Sequence, residues 1–154
     1  MIVTLGALLL GLVALHGSAT AARGDEAAAV QSRVAHHVRQ AVALADHFDG
    51  VLHGRCPRFA TAAEWQSWLD AEVDRAVLLS AHVEQAWVEA RATSDDRIRR
   101  AAKAPRRRLV ETRALLDKLS TCAADHGESL PVWALWRRVV REVPERQAEI
   151  ALPR

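Results

Sequence analysis

The chain has 154 residues, of which 50% are hydrophobic and 26% are charged, and its formal net charge is +2. This balance is typical of folded proteins; it excludes a disordered chain, and the overall charge gives no reason to expect a nucleic-acid partner. Glycine and proline are sparse, at 7 and 5 residues, and tyrosine is absent. The abundance of alanine, leucine, arginine and glutamate favours helices over strands and predicts an all-α protein.

The amino-terminal segment has the features of a secretory signal. Residues 2–15 are almost entirely apolar, and small residues follow, with Ala19 and Ala21 three residues and one residue before the expected cut. We therefore expect residues 1–21 to be a signal peptide and residues 22–154 to form a single helical domain in the periplasm or outside the cell. Cleavage leaves no predicted membrane span. Residues 2–22 are also about as long as a membrane-spanning helix, and no Lys or Arg precedes them, so an uncleaved membrane anchor is the alternative.

Two amphipathic helices follow this segment. Apolar residues recur at helical spacing from Asp25 to about Phe48, and glycines and a proline then predict a loop near residues 50–60. Thr61 and Glu64 are spaced for a capping box, in which each side chain bonds the other residue's backbone N–H. The second helix is therefore predicted to begin at Thr61 and to run to Arg91.

The third and fourth helices are predicted from caps and prolines. Hydroxyl and carboxylate residues at 93–96 favour a helix start, and one apolar stripe continues on both sides of Pro105, which predicts a single helix kinked at that proline. The alternative is a new helix that has Pro105 in its first turn. Gly127 ends this helix, Pro131 opens the fourth, and Pro144 is expected to weaken its last turns. Four such helices with short connections bury their stripes best as an up-down-up-down bundle.

The two cysteines are predicted to pair. Cys56 follows the first helix and Cys122 lies near the end of the third, so an up-down bundle brings them to the same end. In an oxidising compartment they can form a disulfide that closes a long loop. The alternative is two unrelated cysteines, with Cys122 buried and Cys56 exposed.

Six histidines follow the predicted signal and raise the possibility of a metal or haem site. No two of them have the i, i+3 or i, i+4 spacing that projects two ligands from one helical face. A site assembled between helices remains possible, and its candidate ligands are His37, His47, His53 and His82. The competing interpretation is that these histidines are solvated or lie at the edge of the core, so no cofactor is the first expectation.

A run of seven cations without a carboxylate is the strongest local charge asymmetry. We expect several of them to face solvent together and to attract an acidic protein or an anionic membrane surface, rather than nucleic acid. The alternative is a solvated face that nearby carboxylates neutralise. The run consists of Arg97, Arg99, Arg100, Lys103, Arg106, Arg107 and Arg108.

The tryptophans occur in two pairs at helical spacing, Trp65 with Trp68 and Trp133 with Trp136. Core packing is the expectation for both pairs. Trp133 is the member that falls furthest from its apolar stripe, and it is the candidate for a membrane or partner surface.

These patterns rank three functions. A non-enzymatic interaction or accessory role outside the cytoplasm comes first, with the basic run as its possible contact surface. A periplasmic metal-binding or haem-binding bundle comes second. A small all-α enzyme comes third, because the chain contains no nucleophile elbow, phosphate-binding glycine loop or metalloprotease motif, and no catalytic residue is predicted.

Overall fold

The computed structural model describes residues 14–154 of the chain and the side chains of residues 24–154. Within these residues the chain is helical and contains no strand. The first 13 residues of the predicted signal peptide lie outside the described residues, so that assignment stays a prediction. The elements are α1 (Ala14–His53), α2 (Ala62–Ala90), α3 (Asp96–Lys103), a 3₁₀ segment (Ala104–Arg108), α4 (Leu109–Asp125) and α5 (Val132–Ile150).

The predicted four-helix bundle is confirmed. α3, the 3₁₀ segment and α4 follow one another without a loop and form the kinked third helix, with Pro105 in the first turn of the 3₁₀ segment. α2 packs against all the other α-helices, whereas α5 rests mainly on α2 and contacts α4 less. No helix among the described residues has both the length and the apolar character needed to cross a membrane.

Side-chain and backbone caps define the ends of several helices. Glu64 N donates to Thr61 Oγ1 over 3.2 Å and Thr61 N donates to a Glu64 carboxylate oxygen over 3.1 Å, which confirms the capping box. Asp95 caps α3 by accepting from Arg97 N over 2.7 Å. Gly127, at φ 74°, ends α4 in the left-handed conformation that glycine adopts most readily.

Two helices extend further than their sequence patterns predict. α1 continues through Gly50 to His53, because Val51 packs against the core and so stabilises the extra turn. α5 continues through Pro144 to Ile150, where weakened turns were expected. Its last turns are held to α2 by Arg146, which binds Asp74 over 2.7 Å, and by a side-chain hydrogen bond from Gln147. Tertiary contacts therefore outweigh local helix propensity at both ends.

The end of the bundle that carries the cysteines is tied together by three links. Cys56 and Cys122 form the predicted disulfide, which joins the loop after α1 to the end of α4. Lys118 donates to Gly54 O over 2.8 Å, and His126 Nε2 donates to the carbonyl oxygen of Pro57 over 3.1 Å. The loop between α1 and α2 is thus fixed to α4 by covalent and polar contacts together.

Reduction of the disulfide should lower the free energy of unfolding by about 2–4 kcal/mol, because the bond closes a loop between residues 66 apart and restricts the unfolded chain. Urea unfolding followed by circular dichroism, with and without dithiothreitol, measures the effect. The double variant Cys56→Ser/Cys122→Ala serves as the control and should not respond to the reductant. An unchanged unfolding midpoint of the wild-type protein after reduction would contradict the prediction.

Candidate functional site

A line of polar side chains lies in the interface between α1 and α2. At one end, Arg33 Nε and Gln85 Nε2 each donate to the Glu89 carboxylate over 2.8 Å. Glu89 is only 1% exposed. Burial acts to raise the pKa of Glu89, but the hydrogen bonds from Arg33 and Gln85 outweigh it and hold that pKa below its ordinary value. Glu89 is therefore a buried, ionised and fully paired carboxylate.

The middle of this line is a pair of buried histidines. His37 Nδ1 and His82 Nδ1 lie 3.0 Å apart, which is hydrogen-bond distance. His36 lies beside them, with its ring centroid 5.1 Å from that of His37 and 6.2 Å from that of His82. The close approach of the two Nδ1 atoms requires that one ring carries a proton there and that the other does not.

The surroundings of His37 indicate which ring donates. His37 Nε2 is buried and has no hydrogen-bond partner among the described residues. A buried N–H at Nε2 without an acceptor would lower the stability of the fold more than a buried lone pair without a donor, because the N–H would lose the one hydrogen bond that it makes with water in the unfolded chain. We therefore infer that His37 donates from Nδ1 and keeps an unprotonated Nε2, while His82 accepts at Nδ1 and carries its proton on Nε2.

Both members of the histidine pair resist protonation. Burial lowers the pKa of His82 to about 4, and the neighbouring His37 and His36 add to this. Burial and His36 also lower the pKa of His37, although the negative charge of Glu89 opposes them. At neutral pH the pair is uncharged.

The far end of the polar line is a second buried carboxylate. His47 Nε2 lies 2.9 Å from Glu72 Oε2, and Arg75 Nη1 donates to Glu72 Oε1 over 2.7 Å. His53 is exposed and donates from Nδ1 to Asp49 O. The structure thus brings His37 and His82 together but keeps them apart from His47 and His53. The described part of the chain holds no group of three or more His, Cys, Asp or Glu side chains arranged for a metal ion.

A small cleft beside His47 bears on the enzyme hypothesis. It measures about 270 Å³, and its walls include His47, Trp68, Lys118 and Cys122. A histidine oriented by a buried carboxylate is an arrangement that can serve as a general base. Cys122 cannot act as a nucleophile there, because its sulfur is bonded to Cys56.

The predicted basic run divides into paired and unpaired cations. Arg97 binds Asp95, Arg106 lies 3.7 Å from Glu84, and Arg108 binds Glu111 over 2.7 Å. The neutralised face that was the alternative therefore accounts for part of the run. Three of the other cations, Arg99, Arg100 and Lys103, line one cleft beside Trp87.

The expectation that the second tryptophan pair is buried is wrong. Trp133 is 60% exposed and Trp136 is 46% exposed, whereas Trp65 is completely buried. Because α5 leans on α2, its buried residues are Leu135 and Val139, and the tryptophan side turns towards the space beside α4. An open groove of about 840 Å³ lies there between the two helices.

Sequence reasoning missed the buried carboxylates. Glu89 is ionised, yet its side chain lies inside the bundle. A usable indication was its spacing, three residues after buried Ala86, and Glu72 likewise follows buried Leu69 by three residues. Such residues share a helical face with the core even when their charge argues against burial.

No family model, curated protein or solved structure matches this chain. Functional inferences therefore rest on the clefts, grooves and side-chain networks described above.

The histidine pair should make the protein less stable in acid. The pKa of His82 is lower in the folded state than the ordinary value of 6.5, so the unfolded chain binds a proton first as pH falls. The contribution of neutral His82 to the free energy of unfolding is fully present above about pH 6.5 and is lost as the pH falls from there to about 4. From pH 7 to pH 5 we expect a loss of about 2 kcal/mol from His82, measured by urea unfolding.

Two variants check the origin of this pH dependence. His37→Leu/His82→Leu removes both partners together and should flatten the dependence, whereas the matched His53→Gln variant changes an exposed histidine and should leave it intact. Equal slopes in the wild-type protein and the double variant would show that other groups are responsible.

Proposed function

We propose that the protein is an exported helical accessory protein that acts by binding a partner, not by catalysis, and that the groove between α4 and α5 is its contact surface. The observation that carries this proposal is the exposure of Trp133 and Trp136 on the groove wall. Folded proteins rarely leave a cluster of large apolar side chains in water unless a partner covers it. Tryptophan and arginine are also the residues that contribute most to protein interfaces.

The shape and charge of the groove favour an amphipathic helix with acidic flanks. Its walls are apolar, with Leu109, Leu116 and Val132 alongside the tryptophans. Two cations and one carboxylate lie along it, so its charge is positive by one: Arg113 and Asp117 line the α4 side, and Arg137 lies 4.7 Å from the Trp133 ring centroid. A helix placed between α4 and α5 would bury its apolar stripe and set its carboxylates beside these arginines.

A membrane surface fits this geometry less well. A bilayer is flat, so side chains that insert into it must project from a convex face, whereas Trp133 and Trp136 line a groove between two helices. A rod-shaped partner can lie along such a groove and contact both of its walls. An acidic amphipathic helix is therefore the proposed occupant of the groove, and the vesicle-binding experiment below would detect binding to lipid instead.

The disulfide supports the export part of the proposal. Structural disulfides persist in the periplasm and outside the cell and are rare where thiols are kept reduced. The Cys56–Cys122 bond and the signal-like residues 1–21 thus favour the same compartment. An uncleaved anchor that left the helical bundle in the cytoplasm would be at odds with a persistent disulfide.

Export makes a prediction about the mature protein. When the full chain is produced in a cell with a secretory pathway, N-terminal sequencing of the exported protein should give Ala22 or Arg23 as the first residue, and thiol titration after unfolding should find no free thiol. Ala21→Leu places a large side chain next to the cut before Ala22 and should abolish Ala22 as a first residue, whereas Ala21→Leu/Ala22→Leu blocks both cuts. Retention of residues 1–21 in a cytoplasmic product with two free thiols would contradict export.

The groove proposal predicts selective binding of acidic helices. Two synthetic amphipathic peptides are the probes, with identical leucine stripes and either Glu or Lys on both flanks. Isothermal titration should show binding of the Glu peptide only. Trp133→Ala/Trp136→Ala should weaken it by at least ~30-fold, because central tryptophans contribute about 2 kcal/mol or more to such interfaces. The charge reversal Arg113→Glu/Arg137→Glu should shift preference to the Lys peptide.

Val42→Ala is the matched control for loss of apolar surface, because Val42 is an exposed hydrophobic residue on α1 outside the groove. It should bind the Glu peptide normally. Vesicles of anionic and of neutral lipid provide the remaining comparison. Tryptophan-dependent binding to vesicles without peptide binding would overturn the choice of occupant, and binding to neither probe would overturn the groove as a docking site.

A further inference from the structure

A basic cleft lies where α3 packs against the last turns of α2. It measures about 580 Å³ and is separate from the groove between α4 and α5, with which it shares no lining residue. Trp87 of α2 and Arg91, the residue that follows α2, form one wall, and the other is formed by four α3 residues: Asp96, Arg99, Arg100 and Lys103.

The cleft has an excess of positive charge. Four cations line it, and Asp96 is the one carboxylate on its walls. Among the described residues, none of these four cations forms an ion pair with a carboxylate; Arg99 instead donates from Nε to Thr93 O over 2.9 Å. The carboxylates that neutralise the basic run act on Arg97, Arg106 and Arg108, outside the cleft lining. The four cations and the single carboxylate Asp96 therefore leave the cleft lining with an excess of three positive charges.

Three cations lie beside the Trp87 ring, and one of them, Arg106, is additional to the four that line the cleft. The half-buried Trp87 ring has Lys103 Nζ and the Arg106 guanidinium carbon each 5.3 Å from the ring centroid, and the Arg91 guanidinium carbon 5.7 Å away. The ring attracts each cation through its electron-rich face but carries no net charge, so repulsion between the cations persists. A bound anion would relieve that repulsion.

We propose that this cleft binds a ligand that carries two or more phosphate groups. The planar guanidinium of arginine pairs with phosphate through two parallel hydrogen bonds, and the lysine adds a point charge. A single phosphate would leave most of the positive charge unpaired, whereas a chain of phosphates can contact several of these cations at once. The indole of Trp87 forms the adjoining apolar wall. Two sources share this chemistry: a free oligophosphate and the phosphate headgroups of an anionic membrane.

Isothermal titration of the full mature chain with sodium tripolyphosphate tests the proposal, at constant ionic strength set with sodium chloride. We expect saturable binding with one site per chain. Arg99→Gln/Arg100→Gln should weaken it at least tenfold, because each charge-assisted hydrogen bond contributes enough for about that factor. Arg107→Gln is the matched control: it removes an exposed charge from the same basic run but from outside the cleft, and it should change the affinity less than twofold.

Two further measurements assign the site and the source. Tripolyphosphate should change the tryptophan fluorescence of the wild-type protein but not that of Trp87→Phe, and Trp133→Ala/Trp136→Ala should bind it normally. Circular dichroism confirms that each variant is folded. Binding to phosphatidylglycerol vesicles that tripolyphosphate displaces supports the lipid source, and binding of tripolyphosphate without vesicle binding supports the free ligand. Absence of tripolyphosphate binding, or equal losses in Arg107→Gln and Arg99→Gln/Arg100→Gln, overturns the proposal.

Discussion

The burial of α2 constrains the rest of the bundle. Every other helix packs against it, and its carboxylates Glu72 and Glu89 lie in the interior. A buried charge is strongly destabilising unless it is paired, so α1 must place Arg33 opposite Glu89 and His47 opposite Glu72. Apolar stripes alone would tolerate a slide of one helix along the other. These polar pairs disfavour it, because a shift of one turn would remove the Arg33 and His47 contacts and leave each buried carboxylate only its partner on α2, Gln85 for Glu89 and Arg75 for Glu72.

The open surfaces of the protein follow from the same arrangement. α5 is attached to α2 by ion pairs of Arg138 with Asp70 and of Arg146 with Asp74. These contacts draw α5 towards α2, and the side that faces α4 is left partly uncovered, which exposes Trp133 and Trp136. The groove is thus a consequence of how α5 is held and needs no deformation of the helices. A ligand can use it without reorganising the core.

Local features of the chain were predictable from sequence, whereas lateral packing was not. The capping box at Thr61, the left-handed Gly127 and the kink at Pro105 depend on residues close in sequence, and the Cys56–Cys122 bond follows once helix order is known. The exposure of Trp133 depends on which helix α5 packs against. The burial of Glu89 depends on an ion pair with Arg33 of α1, which lies 56 residues earlier in the sequence. A hydrophobic stripe gives the side that faces inwards, but it does not give the helix that covers it.

The interruption at Pro105 separates the two candidate binding surfaces. The 3₁₀ segment winds more tightly than an α-helix, so the faces of α3 and α4 are rotated relative to one uninterrupted helix. On one side of it, the α3 cations line the cleft beside Trp87; on the other, Leu109 and Leu116 line the groove beside Trp136. A run of seven cations on one regular helix would spread its charge around the axis. Here the three cations of the run that line the cleft all belong to α3, before the interruption, and the apolar surface of α4 beyond it is left to contact a different partner.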